Sequence, residues 1–356
     1  MPSRLSAWGS FRDGASRVGR APAMVMGVWL LNLLAAIPLT LMLHDAIAQH
    51  LDHSLRAEEV ARGFDIDWWQ EFEARAGEVG KSFGPGVIGF AAPLSNLSAL
   101  ADGELPSGPI FVAVAGWLLL WTFLSGGIID RYARNRPTRA AGFFGACGDW
   151  FGRMLRLELI ALAAYWILFS WIHPLLFDRF YGWMTHDLGV ERRAFLWRVA
   201  LYVVFALLAV AVRVVVDVAR VRAVVEDRRS IIGAYVAGWR FIRQRPLPIL
   251  GVYACIAAAL VVWLAIYALV APGARATGGW LWLALVIGQL YIIGRLWLKL
   301  QTQASLVALY QSDFGRRFTS DIAPAVSTAT PIWPESPPAD PAPTDTAEAT
   351  EITPAR

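Results

Sequence analysis

Six stretches of this sequence, 23–43, 109–129, 157–177, 194–216, 247–271 and 278–298, are each almost wholly apolar. Each reaches the length of about 20 residues that an α-helix needs to cross the hydrocarbon of a bilayer. A soluble amphipathic helix shows an apolar stripe recurring every 3.6 residues and has no use for an unbroken block of this kind. Over 356 residues, 56% are apolar and only 17% charged, which moves the chain from the soluble to the membrane class. The expected fold is therefore all-α, a polytopic membrane protein with six transmembrane helices.

Around these blocks the chain divides into a cytoplasmic amphipathic lead-in (1–22), a membrane domain (23–311) with an acidic outer loop module (48–108), and a tail (312–356). The tail is dominated by Pro, Thr, Ala and Ser with little to bury, so disorder is expected there. Ala46-Ile47-Ala48 resembles a signal-peptidase site, but the length of the first block fits an uncleaved anchor better.

Charge sets the expected orientation, because basic loops are retained on the cytoplasmic side. Segments 1–22, 130–156, 217–246 and 295–317 together hold 21 basic residues. The alternate segments, 48–108, 178–193 and 272–278, hold four, three and one, and the first of them carries ten acidic residues. Both termini are thus expected in the cytoplasm. Nearly all the basic residues are arginine, Lys81 and Lys299 being the exceptions, a bias expected of GC-rich coding and a bacterial inner membrane. The net charge of +4 does not indicate nucleic acid, since the arginines cluster at the ends of apolar blocks. Cys147 falls in an expected cytoplasmic segment and Cys255 inside an expected span, so no disulfide framework is expected.

Before each inward-to-outward span lies a segment with aromatic and apolar residues at helical spacing, mixed with arginine. The first has Leu5, Trp8, Phe11, Ala15 and Val18; the second Phe143, Phe144, Cys147, Phe151 and Met154; the third Ile231, Ile232, Tyr235, Val236 and Trp239. Such segments predict interfacial helices, with aromatics in the acyl boundary and guanidiniums at phosphates. Arg153, Arg156, Arg240, Arg243 and Arg245 are the lipid-headgroup candidates. The exits of spans two and four also match, Asp130-Arg131-Tyr132-Ala133-Arg134 against Asp217-Val218-Ala219-Arg220. Three repeated hairpins, each led by an interfacial helix, are one reading. The other is that arginine and aromatics mark the interface here as in membrane proteins at large.

Taken as a layout, the six spans, the arginine-aromatic lead-ins and the D-x-A-R exit resemble a large group of bacterial membrane proteins related to the membrane domain that accompanies glycerophosphodiester phosphodiesterases. The resemblance covers about residues 1–311. It departs in the long acidic outer loop and in lacking a phosphodiesterase domain, and it implies architecture rather than activity.

Candidate chemistry is sparse. His50 and His53, at i and i+3, could share a helix face, but no third ligand stands at a fixed spacing, so no metal and no cofactor is expected. In the outer loop Phe64, Trp68 and Phe72, four residues apart, predict an amphipathic helix that lies on the outer leaflet or caps the bundle. After it, 83–100 is apolar and punctuated by Gly and Pro. Glu58-Glu59 with Arg62, and Ser125-Gly126, echo intramembrane protease elements but fail on spacing and lack catalytic partners. Arg213, Asp217 and Arg220, at i, i+4 and i+7, predict an ion-paired stripe of structural role. Asn32, Thr122, Ser170 and Gln289 are the deep polar residues, and the membrane interior otherwise reads as quiet. The expectation is a non-enzymatic inner-membrane component that binds the bilayer's anionic lipids or a membrane protein partner. The alternative is a transporter or channel for a small or amphipathic solute.

Overall fold

The computed structural model describes residues 5–63, 65–81, 108–135, 137–186, 191–228, 230–271 and 279–322, with side chains as far as Asp313. The chain falls into two units, Met1–Asp313 and Phe314–Arg356. In the first, six helices are long and apolar enough to span: α2 (Pro22–Leu51), α6 (Gly108–Arg134), α7 (Ala140–Thr185), α8 (Glu191–Val225), α10 (Pro246–Val270) and α11 (Gly279–Asp313). The shorter helices are α1 (Ala7–Gly19), α3 (Ala57–Arg62), α4 (Ile66–Arg75), α5 (Glu78–Lys81) and α9 (Ile231–Gln244). No strand occurs among the described residues. The protein is an all-α, six-span membrane protein. In the second unit, 314–322 is helical, so helix extends beyond the start expected for the tail; the rest of the tail and the apolar run 83–100 lie outside the described residues.

Several helices outrun their apolar blocks. Helix α2 continues to Leu51, and α7 continues to Thr185 through two stretches of wider π-type turns flanking Pro174. A proline lacks an N–H and crowds the carbonyl one turn back, and a widened turn relieves both without ending the helix. The largest departure is within 295–317, expected as a basic cytoplasmic segment. It continues α11, and every residue from Gln301 to Tyr310 is buried.

The lead-in segments behave in two ways. Helices α1 and α9 are separate, each joined to its span by an elbow of nearly the same shape: Ala21 has φ −132, ψ 54 and Arg245 has φ −139, ψ 53. Pro22 and Pro246 follow, and the residue before a proline is kept out of the helical region, so the helix must break there. The middle lead-in has no such proline and runs unbroken into its span within α7. Exits from spans two and four share another device, a residue of positive φ just past the helix, Asn135 (φ 48) and Asp227 (φ 47). Asn and Asp tolerate that left-handed conformation better than other side chains.

Each lead-in packs on an exit half through small residues. A Cβ added at Gly14 of α1 would collide with Ser305 of α11, one at Gly127 of α6 with Cys147 of α7, and one at Gly238 of α9 would lie 3.4 Å from the Ala219 backbone N of α8. Small residues let helices approach closely where lipid supplies no hydrophobic drive to pack them. The likeness is one of packing; the straight middle lead-in departs from it, and a threefold repeat is not established by it. The central cluster joins Val18, Val25, Leu124, Ile128, Leu300 and Ala304 from four helices at this basic end of the bundle.

At the opposite end, the loop module folds back onto α2. Trp68 and Phe72 are buried, stack at 5.3 Å, and enclose the His50 ring edge-on at 5.8 and 5.5 Å. Phe64 lies outside the described residues. Asp65 caps α4 by accepting from the Asp67 and Trp68 N–H groups and pairs with Arg56 at 3.2 Å. The Trp68 amide above all, with the Arg56 guanidinium and the Asp67 amide, holds the Asp65 carboxyl below its ordinary range.

Candidate functional site

Two places gather polar chemistry, both toward the basic end. The first is a charge network between α7, α8 and α10. Asp217 is buried and accepts from Arg213 Nε at 2.8 Å, Arg220 Nη1 at 3.2 Å and the Tyr253 hydroxyl at 3.0 Å. Arg220 reaches on to Glu158 of α7. The helical spacing foretells the Arg213, Asp217 and Arg220 stripe; Glu158 and Tyr253 come from other helices and only the fold brings them in.

Beside this network lies a cavity of about 510 Å³ between α2, α6, α8, α10 and α11. Its polar lining includes Asn32, Arg213, Asp217, Tyr253, Arg295 and Lys299. The Lys299 ammonium stands 3.4 Å from the centroid of Trp121 and 4.0 Å from that of Trp117. A cation over an aromatic face is stabilised by the ring quadrupole, the more so when water is excluded. Trp117 is fixed in turn by donating Nε1–H to Asn32 Oδ1 at 2.8 Å. Lys299 and Arg295, read in sequence as rim residues, line a cavity together with the deep Asn32. Gln289, the other deep amide, instead accepts from Trp29 at 2.9 Å.

The second place is the surface of the basic end. Of the five headgroup candidates, Arg153 pairs with Asp227 at 2.5 Å and lies over Trp150, while Arg245 pairs with Asp313 at 2.6 Å. Arg156, Arg240 and Arg243 are exposed and have no carboxylate partner among the described residues. Helix α9 buries Ala234, Ala237, Gly238 and Phe241 and leaves Ile232, Val236 and Trp239 facing outward. An apolar groove of about 440 Å³ runs beside the α1–α2 elbow, walled by Leu30, Leu31, Phe143 and Phe144, with Arg20 and Arg131 also in its lining.

At this end Arg222, Arg228 and Tyr310 converge on Glu226. Burial alone would raise the Glu226 carboxyl, but these three donors outweigh it and hold it below the ordinary carboxylate range. Arg17 donates to the Tyr132 carbonyl and to Gln311 Oε1, both at 2.8 Å, and so locks α1 beneath α6 and α11.

The metal candidates do not assemble. His50 is enclosed by Trp68 and Phe72, His53 Nδ1 faces the Gln49 carbonyl at 3.1 Å, and no group of three ligating side chains forms among the described residues. Ser125 Oγ donates to the Thr122 carbonyl of its own helix at 2.9 Å, as a hydroxyl in a span commonly does.

Fold and site together define a polytopic helical membrane protein with a tightly packed, polar basic end. Comparison with family models, curated proteins and solved structures finds no match.

Proposed function

We propose that this is a non-enzymatic component of a bacterial inner membrane, with both termini cytoplasmic, that binds anionic lipids through its basic end. The observation that carries the reading is the outward face of α9. Ile232, Val236 and Trp239 form one apolar row, and Arg240 and Arg243 stand beside it without acidic partners among the described residues. A helix of this kind lies in the plane of the interface, its apolar row at the acyl boundary and its guanidiniums at phosphates. Each arginine near an anionic leaflet contributes on the order of 1 kcal/mol. Helix α1 repeats the pattern with exposed Trp8 stacked on Phe11. The groove with Arg20 and Arg131 in its lining offers room for an acyl chain with its phosphate at the arginines.

Mass spectrometry of the lipids that co-purify in mild detergent tests this. Phosphatidylglycerol and cardiolipin should be enriched over phosphatidylethanolamine, and substituting Arg156, Arg240 and Arg243 together by Gln should erase most of the enrichment. Equal retention of anionic and zwitterionic lipid would refute the reading, and a co-purifying membrane protein lost with the same variant would replace lipid by a partner. Orientation is tested separately: a reporter at Lys81 should be periplasmic and one at Pro137 cytoplasmic.

The cavity supports a second reading, a transporter or channel for a small or amphipathic solute, since Asn32 meets three basic side chains there. Uptake into proteoliposomes that disappears with Asn32→Ala would favour it.

A further inference from the structure

We propose that the cavity between α2, α6, α8, α10 and α11 is a binding site for one amphiphile bearing a phosphate or carboxylate, whose anionic head is held by Lys299, Arg295 and Arg213. The inference stands on the cavity alone and goes beyond the surface binding proposed above.

The charge balance comes first. In the network and the cavity lining there are four basic side chains, Arg213, Arg220, Arg295 and Lys299, against two carboxylates, Asp217 and Glu158. Asp217 is shared between Arg213 and Arg220, and Glu158 serves Arg220. Neither Arg295 nor Lys299 has a carboxylate within ion-pair distance among the described residues; each lies against aromatic rings. Cations without counter-charge are expensive at membrane depth, where they ordinarily pair or line a pathway. An anion entering this cavity restores the balance, and guanidinium and ammonium are the donors that hold phosphate and carboxylate oxygens.

Size and lining set the rest of the ligand class. About 510 Å³ falls within the range of small-molecule sites. Ile256, Leu260, Ile292 and Leu296 make the remaining wall apolar, which suits an alkyl body and not a hydrated inorganic ion. Asn32 accepts from Trp117 through Oδ1, and its amide N–H₂, without a partner among the described residues, is placed to act as a neutral donor in the cavity. The arrangement thus matches an anionic head joined to an apolar chain, supplied either by a membrane lipid or by a free amphiphile.

The test uses the full chain in mild detergent, stripped of co-purified lipid, and follows thermal unfolding and binding. Dihexanoyl phosphatidic acid, hexyl phosphate, inorganic phosphate and dihexanoyl phosphatidylcholine are titrated at constant ionic strength. Phosphatidic acid should raise the midpoint and phosphatidylcholine should not. A response to hexyl phosphate as strong as that to phosphatidic acid assigns the site to a free single-chain amphiphile; a response confined to phosphatidic acid assigns it to a lipid. Lys299→Met and Arg295→Gln should each weaken binding by about tenfold or more, the loss expected for one charge-assisted contact. Arg62→Gln, in the exposed loop module, should leave it unchanged. Lys299→Met removes an unpaired cation, so the ligand-free variant should melt no lower than the parent, which separates loss of binding from loss of fold. The proposal is overturned if no anionic amphiphile shifts the midpoint, if inorganic phosphate alone gives the whole effect, or if the shift survives both substitutions.

Discussion

The two halves of helix α11 live in opposite surroundings. Near the acidic end Trp280, Leu281 and Trp282 are 63, 59 and 72% exposed, whereas toward the basic end Leu300 and Ala304 are fully buried. Helix α8 divides the same way, with Val203 and Leu207 exposed and the run from Val216 to Val224 buried. The buried half is also the more polar, holding Gln301, Thr302, Gln303 and Ser305 in α11 and Asp217, Arg220 and Arg222 in α8. Hydrocarbon accepts apolar side chains as readily as a protein core does, so it is the polar and small groups, which only other helices can satisfy or fit, that gain most from burial in a membrane protein. Specific packing, and with it any specific site, concentrates at the basic end.

Asp217→Ala should break that contrast most severely. It leaves Arg213, Arg220 and the Tyr253 hydroxyl facing one another without the carboxylate, and loss of one partner of a buried pair costs about 3–5 kcal/mol. Unfolding in detergent should show this as a large drop in midpoint.

Next in size is a matched pair of glycine substitutions. At Gly14 an added Cβ would lie 2.8 Å from the Ser305 backbone N, which cannot swing aside, so Gly14→Ala should cost roughly 1–3 kcal/mol. At Gly116, in the opposite half of α6, nothing lies within 4 Å, and Gly116→Ala should be neutral or gain up to about 1 kcal/mol of helix propensity. Equal effects at the two sites would abolish the distinction between the halves.

Phe72→Ala sharpens the comparison from the other side. Phe72 is fully buried and packs against Trp68 and Gly80 of the loop module and His50 at the end of α2. Limited proteolysis should cut faster between 57 and 81 while the midpoint of the membrane domain stays within about 0.5 kcal/mol of the parent.

The smallest effect is that of acid. Asp65 at one end and Glu226 at the other both have carboxyls held below the ordinary range. Such groups stabilise the fold above the unfolded-state pKa of roughly 4 and lose that contribution as pH falls through the lowered value. Amide exchange in α4 and around Glu226, corrected for its intrinsic pH dependence, should therefore be flat from neutral pH to about 4 and accelerate only below it. Acceleration starting near pH 6 would contradict both assignments.

The sequence by itself determined the number of spans, the all-α class and the concentration of arginine at one set of helix ends, because lipid demands long apolar helices whatever surrounds them. It also determined the Arg213–Asp217–Arg220 stripe, which helical spacing places on one face. Only the tertiary structure decided that 301–310 is core and not rim, because apolar content cannot distinguish a helix facing lipid from one enclosed by other helices. Only it could bring Asn32, Lys299, Arg295 and Asp217, from α2, α11 and α8, around one cavity. Their separations in sequence carry no period that would reveal the meeting, and a lysine two residues before a glutamine-rich turn reads as interfacial until the neighbouring helices close over it.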